Sequence, residues 1–347
     1  MNDPRYDRKT WVAGVIFLGL AGMIGYMLPR QVASTNAPQS PSPPTSPVAS
    51  PPHANQQPIS QPQTNSTSGA NAPTKLTFTP PPDDKIPDNE FGKIVRFGRA
   101  VFEDTQHNAK EFTGNALQCA NCHIDGGRLA NAAPLWAAYV AFPTYRSKND
   151  HVNTFQERMQ GCFLFSMNGK EPPLNDKVLV ALESYAYFLA TGAPTGANLP
   201  GRGYPRLPKP ARLDYAHGRQ VYVEKCALCH GPDGQGQSAA DGTVVFPPLW
   251  GPRSYNWGAG MSSIDSAAGF AKANMPLSEG NTLTDEEAWD AATYIDSQER
   301  PQDPRFSGSI AETRKAYHDS PLDMYGQTVN GVVLGQNSPP SGPPRSQ

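Results

Sequence analysis

The pattern Cys-x-x-Cys-His occurs twice in this chain of 347 residues, and that repeat constrains the fold more than any other feature. The copies are Cys119-Ala120-Asn121-Cys122-His123 and Cys226-Ala227-Leu228-Cys229-His230. Each follows a related stretch, Gly98-Arg99-Ala100-Val101-Phe102 in the first case and Gly218-Arg219-Gln220-Val221-Tyr222 in the second. Each also precedes an amphipathic helical pattern. Residues 178–190 place Leu179, Leu182, Tyr185, Ala186 and Leu189 at helical spacing, and residues 285–297 do the same with Trp289, Ala292 and Ile295. Thr284 with Glu287 three residues on is a capping box that starts the latter helix. Two halves of about 100 residues, each built as helix, motif, loops and helix, predict an all-α tandem of two small domains. The Pro-rich residues 194–210 join them.

Cys-x-x-Cys-His is the attachment signature of a c-type haem: both thiols add to the haem vinyl groups, and the adjacent His ligates the iron. A zinc reading would join both copies into one four-thiolate site. Their separation of about 100 residues, with a helical domain around each, opposes it. The sequence therefore predicts two covalently attached haem c groups in two class-I-like cytochrome c domains. Cys119, Cys122, Cys226 and Cys229 attach them, and His123 and His230 ligate iron.

One of the five cysteines, Cys162, is left over. Alone it reads as a small buried hydrophobe, but each iron also needs a sixth ligand, usually Met in electron carriers. In the second half Met275 lies between the haem motif and the last helix, with Met261 the weaker competitor. In the first half Met159, Cys162 and Met167 are all candidates.

The flanks differ in character. Arg5, Arg8 and Lys9 precede an uncharged run over residues 10–29, long enough to cross a bilayer as a helix. Basic residues before the run keep the N-terminus cytoplasmic and send the chain after Arg30 across the membrane. The alternative is a cleaved signal with a site at Val32-Ala33-Ser34. Residues 31–86 hold many of the 37 prolines, with Ser, Thr, Gln and Asn, and read as a disordered tether. The expected organisation is an anchor or signal at 1–30, a linker at 31–86, domains at 87–200 and 201–306, and a flexible tail at 307–347. A formal charge of −2 argues against a nucleic-acid partner. Haem c is attached outside the cytoplasm in bacteria, so the expected location is periplasmic, anchored to the inner membrane, or soluble there if the signal is cleaved.

Several stretches together resemble the thiosulfate dehydrogenase family of dihaem cytochromes. They are residues 119–128 (CANCHIDGGR), the stretch from Ala133-Pro134-Leu135-Trp136 to Phe142-Pro143-Thr144-Tyr145-Arg146, and Cys162 with Ser166-Met167-Asn168-Gly169. Asn274-Met275-Pro276-Leu277 and the closing residues 300–306 (RPQDPRF) complete the match. The resemblance implies a catalytic haem ligated by His123 and Cys162 and an electron-transfer haem ligated by His230 and Met275. It implies oxidation of two thiosulfates to tetrathionate, or the reverse, with a c-type cytochrome or membrane oxidase as electron partner. These substrates are dianions, so fixed positive charge is needed near the first haem. Arg128, Arg146, Lys148, Arg158 and Lys170 fall in that stretch. Arg128 and Arg146 are the first choices, with Arg158, because an Arg fork suits sulfonate oxygens as it suits phosphate. One departure is Phe165, where family members often carry a basic residue; it implies another anion, a slower reaction or a recruited neighbouring Arg. The rival class is a membrane-tethered electron carrier without its own substrate, which has no need of a Cys162 ligand.

Overall fold

The computed structural model describes residues 78–342. The predicted anchor and most of the predicted linker lie outside them. Among the described residues no helix is long and apolar enough to cross a membrane.

The first half runs α1 (Glu90–Glu103), α2 (Thr105–Asn108), α3 (Ile124–Gly127), α4 (Leu135–Tyr139), α5 (Phe155–Gly161) and α6 (Lys177–Leu189). A short hairpin of β1 (Thr144–Arg146) and β2 (His151–Asn153) precedes α5. The second half runs α7 (Tyr215–Lys225), α8 (Ala227–His230), a hairpin of β3 (Gln237–Ser238) and β4 (Val244–Phe246), α9 (Ile264–Asn274) and α10 (Asp285–Asp296). Then come α11 (Ile310–Tyr317) and a last hairpin of β5 (Thr328–Val329) and β6 (Val332–Val333).

The repeat read from the sequence is a repeat of packing. Helix α1 packs on α6, and α7 on α10. Both crossings depend on the glycine that opens the shared Gly-Arg pair. A Cβ on Gly98 would lie 2.0 Å from the Ala181 carbonyl oxygen, and one on Gly218 would lie 1.9 Å from that of Asp290. Only a residue without a side chain lets the helix backbones approach so closely. The capping box forms as expected: Thr284 Oγ accepts from Glu287 N, and the Glu287 carboxylate accepts from Thr284 N. Leu179, Leu182, Tyr185, Ala186 and Leu189 are all buried in the first core.

The halves are not separate beads. The joining segment packs on the loop after the first motif, where Asn131 N donates to Gly201 O and Ala133 N to Gly203 O. Asn256 of the second half donates from its side chain to Leu164 O and Asn168 Oδ1, and from its backbone to Phe165 O. Asn115 reaches the other way, to Ser254 O.

Two expected boundaries are corrected. The end of the predicted linker is folded: Phe78 packs on Trp136 with ring centroids 5.2 Å apart, and Asp83 pairs with both Arg99 and Arg128. Within the predicted flexible tail, residues 307–342 are folded too. Their few large side chains are placed where they count, with Tyr325 and Leu334 packing on Trp257. Glu299 then ties this arm down by accepting from Gly335 N and Ser338 Oγ.

Candidate active site

Both motif histidines are prepared as ligands in the same way. His123 Nδ1 lies 2.7 Å from Ala133 O, and His230 Nδ1 lies 2.9 Å from Pro247 O. A carbonyl oxygen only accepts, so each Nδ1 carries the proton and each Nε2 keeps its lone pair. Burial pushes both imidazoles below their ordinary pKa and so favours the neutral form, outweighing the raising effect of that hydrogen bond. In each half the accepting residue stands just before Pro-Leu-Trp: Pro134-Leu135-Trp136 and Pro248-Leu249-Trp250. The cysteines beside them form no disulfide. Cys119 Sγ accepts from Thr105 Oγ1 at 3.3 Å. A thiol pair followed by a neutral His with a free Nε2 is the donor set that a c-type haem requires.

What faces the first motif is built by α5 and the turn after it. The Thr154–Glu157 capping box starts α5. The chain then widens into a π-turn over Cys162–Ser166, closed by Met167 N donating to Cys162 O at 2.9 Å. Such turns re-aim side chains and recur at functional sites. Arg158, one helical turn earlier, donates from its guanidinium to Cys162 Sγ at 2.8 Å. Cys162 acts electrostatically on both Cys119 and Cys122, and Arg158 acts on His123. Tyr204 stands within the same group. Burial holds its hydroxyl well above the ordinary pKa, and Cys122, Arg158 and Cys162 all influence it. Cys162 thus shares one site with the first motif. Met159 and Met167, the other first-half candidates, are packed into the hydrophobic core.

Beside this site opens a cavity of about 650 Å³ at the seam between the halves. Arg146, Lys148, Arg158 and Arg305 line it, with Gly161, Phe165 and Ser166 from the Cys162 segment and Gly260 from the second half. Asp150, Glu157 and Glu171 also line it. Two of these carboxylates already accept hydrogen bonds: Asp150 from Tyr145 and Glu157 from Thr154 N. Lys148 is an exposed residue whose ammonium turns inward, donates to Gly258 O and lies 4.4 Å over the Phe165 ring. Burial of that end, helped by Arg305 and Arg158, lowers its pKa to about 8. Arg305 covers the same ring at 4.9 Å. Phe165 is therefore a platform carrying two cations.

The expected site residues divide accordingly. Arg146 and Arg158 come together at the cavity. Arg128 does not: its guanidinium is taken by Asp83 and by Pro81 O, which clamps the chain entering α1. That corrects its choice as a first substrate-binding residue. Lys170 lies over Phe112. Arg305 was missed, although the closing RPQDPRF stretch contains it. Met275 caps the C-terminal end of α9 and is half-buried, while Asn274 beside it donates to Asn131 O across the seam.

Comparison with known proteins agrees with this construction. The sequence model of the cytochrome C oxidase, cbb3-type, subunit III family matches residues 213–295, the second half. The thiosulfate dehydrogenase of Thiomonas intermedia is 56% identical over 268 residues, 77% of this chain and 85% of that protein. The thiosulfate dehydrogenase of Stutzerimonas stutzeri is 54% identical over 262 residues, covering 75% and 85%. This chain belongs to the thiosulfate dehydrogenase family. It is an oxidoreductase of cytochrome c type, and its motif residues fit haem c. A solved structure, the thiosulfate dehydrogenase (TsdBA) of Marichromatium purpuratum in its as-isolated form, superposes with a TM-score of 0.72 at 53% identity. The match covers 75% of this chain and 57% of that one.

Proposed function

We propose that this protein oxidises two thiosulfates to tetrathionate at a haem c held by His123 and Cys162. The two electrons leave through a second haem c held by His230 and Met275. The observation that carries this reading is the cation-lined cavity against the Cys162 segment, where Arg158 reaches both the cavity and the Cys162 sulfur. Two relatives named thiosulfate dehydrogenase, each above half identity, support the substrate.

The chemistry needs an S–S bond between two dianions and removal of two electrons. Bound haem iron supplies the one-electron acceptor. The protein's own residues do the rest. Arg146 and Arg158 offer forked donors to sulfonate oxygens, and Lys148 and Arg305 add charge that offsets the repulsion between two anions. Gly161, next to Cys162 in the chain, lines the cavity and adds no side chain to it. Arg158 donating to Cys162 compensates the charge that a thiolate ligand carries. An anionic sulfur ligand stabilises ferric iron, and a thioether raises the potential. A haem held by His123 and Cys162 would therefore have the lower potential, and one held by His230 and Met275 the higher. The reverse reaction uses the same residues, and the potentials decide which direction prevails. A c-type cytochrome or a membrane oxidase is the proposed electron partner, in the periplasm, with the N-terminal segment as tether to the inner membrane.

The test is anaerobic mixing of the ferric holoprotein with thiosulfate, following the reduced-haem band and assaying tetrathionate. Rapid reduction with tetrathionate formed is expected. No reduction, together with no reoxidation of the ferrous protein by tetrathionate, would refute the reading.

A further inference from the structure

Arg305 owes its place in the cavity to a chain of charges running into the C-terminal arm. Its guanidinium forks onto Asp303, with Nε to Oδ1 at 2.9 Å and a terminal nitrogen to Oδ2 at 2.6 Å. Asp303 Oδ2 also accepts from His318 Nε2 at 3.0 Å, and His318 Nδ1 lies 2.7 Å from Asp323 Oδ2. Asp323 in turn accepts from Tyr325 N. His318 stacks on the Tyr325 ring at 4.4 Å. His318, Asp303 and Asp323 are all buried, whereas Arg305 keeps 19% of its side chain open.

The hydrogen-bond inventory fixes the protonation. Ionised carboxylates only accept, so both His318 nitrogens donate and the ring is an imidazolium. Burial opposes that charge, but Asp303 and Asp323 raise the His318 pKa above its ordinary value. Burial likewise works against an ionised Asp303, but Arg305 and His318 together hold it well below the usual carboxylate range. Two anions and two cations alternate along the chain. The fork uses two of the five guanidinium N–H groups, which leaves three for a ligand. The Arg305 guanidinium also lies over the Tyr317 ring, at 4.1 Å, at the C-terminal end of α11.

We propose that His318 is a positioning residue for the anion site. Clamped between Asp303 and Asp323, it fixes and neutralises the carboxylate that grips Arg305, so that Arg305 presents both its charge and its free donors to the substrate anion. Without the imidazolium, Arg305 would be the one cation left in a chain of two carboxylates, and its attraction for a dianion would fall. The residues after 306 are thereby part of the active-site wall. The inference rests on the cavity being the anion site proposed above.

The experiment is a double-mutant cycle on the haem-loaded protein with His318→Gln and Arg305→Gln. It has two readouts: KM and kcat for thiosulfate, and calorimetric titration with sulfate, a dianion that the protein does not oxidise. His318→Gln is expected to raise KM and weaken sulfate binding by about five- to tenfold, with kcat kept within about twofold. In the Arg305→Gln background the same substitution should add almost nothing, because His318 acts through Arg305. Asp323→Asn, which spares the His318–Asp303 contact, should move both readouts the same way by about two- to threefold. Equal losses in both backgrounds, or an unchanged KM and sulfate affinity, would overturn the proposal. A wild type that binds sulfate but leaves thiosulfate unoxidised would sink the thiosulfate reading alone, and the sulfate titrations would still decide the role of His318. If thiosulfate is oxidised without measurable sulfate binding, the KM comparison decides it.

Discussion

In the first half, the chain between motif and last helix carries a hairpin, a capped helix and a π-turn, and with them Arg146, Lys148, Arg158 and Cys162. In the second half, the same interval carries a hairpin, a loop and α9, ending at Met275. The frames around the two motifs are nearly interchangeable, with a glycine at the helix crossing and a carbonyl before Pro-Leu-Trp holding the histidine. The cores are not. The first half has one continuous apolar cluster, which even takes in Tyr255 and Ala259 from the second, while the second half is divided among small clusters. Leu228, inside the second motif, is 86% exposed, whereas its counterpart Asn121 is half-buried and accepts from Gln118 N. Holding the cofactor is thus a property of the repeated frame. Reactivity, in the proposed function, belongs to the interval inserted into it, and that interval lies on the continuous core. The second motif thus presents an apolar side chain at the surface, which suits the electron exit proposed for it.

Substitutions at the two proposed sixth ligands would separate these roles most sharply. Cys162→Ser should lower the rate of haem reduction by thiosulfate by more than about 100-fold. It should also change the spectrum of one haem and leave the other untouched. Met275→Ala should alter the other haem's spectrum and slow electron exit, yet keep the KM for thiosulfate within about twofold. A Cys162→Ser protein with full activity would erase the asymmetry on which the comparison rests.

The frame was legible in the sequence because its signals are local. Motif spacing, the Thr284–Glu287 box and the apolar stripe of α6 each report on residues a few positions apart. The Pro-Leu-Trp repeat was equally local and could have been read. What escaped is set by distant partners. Arg128 and Arg305 look alike as residues, and they differ because Asp83 neutralises one away from the cavity while Asp303 aims the other at it. No window of sequence distinguishes those outcomes. The C-terminal arm was unreadable for a related reason. Its composition resembles a linker, and its order depends on a few groups, such as Tyr325, His318 and the Glu299 carboxylate, that find partners across the fold.

The contrast between paired and unpaired arginines gives the next test. Arg146→Gln should raise the KM for thiosulfate by about tenfold and change kcat little, the pattern of lost binding charge. Arg128→Gln should leave KM within about twofold and instead lower the melting temperature by about 2–4 °C, as expected for a part-buried ion pair in a domain of this size. Steady-state kinetics and thermal unfolding on both proteins check the pair. The assignment of Arg128 to the fold fails if its loss raises KM as much as that of Arg146.

The remaining cation to test is Lys148, through its pH response. With a pKa near 8, its ammonium is about nine-tenths charged at pH 7 and about one-tenth at pH 9. A dianion binds the charged form better, so KM should rise across that interval, by no more than about tenfold. Stability moves in the opposite sense. The folded pKa lies below the unfolded one, so between about pH 8 and 10.5 the unfolded chain binds more protons and this residue's contribution to stability grows as pH rises. Lys148→Met should flatten both limbs, leaving KM nearly constant from pH 7 to 9. A KM that still rises as steeply in that variant would assign the alkaline limb to another group and would reduce the cavity's working cations to its arginines.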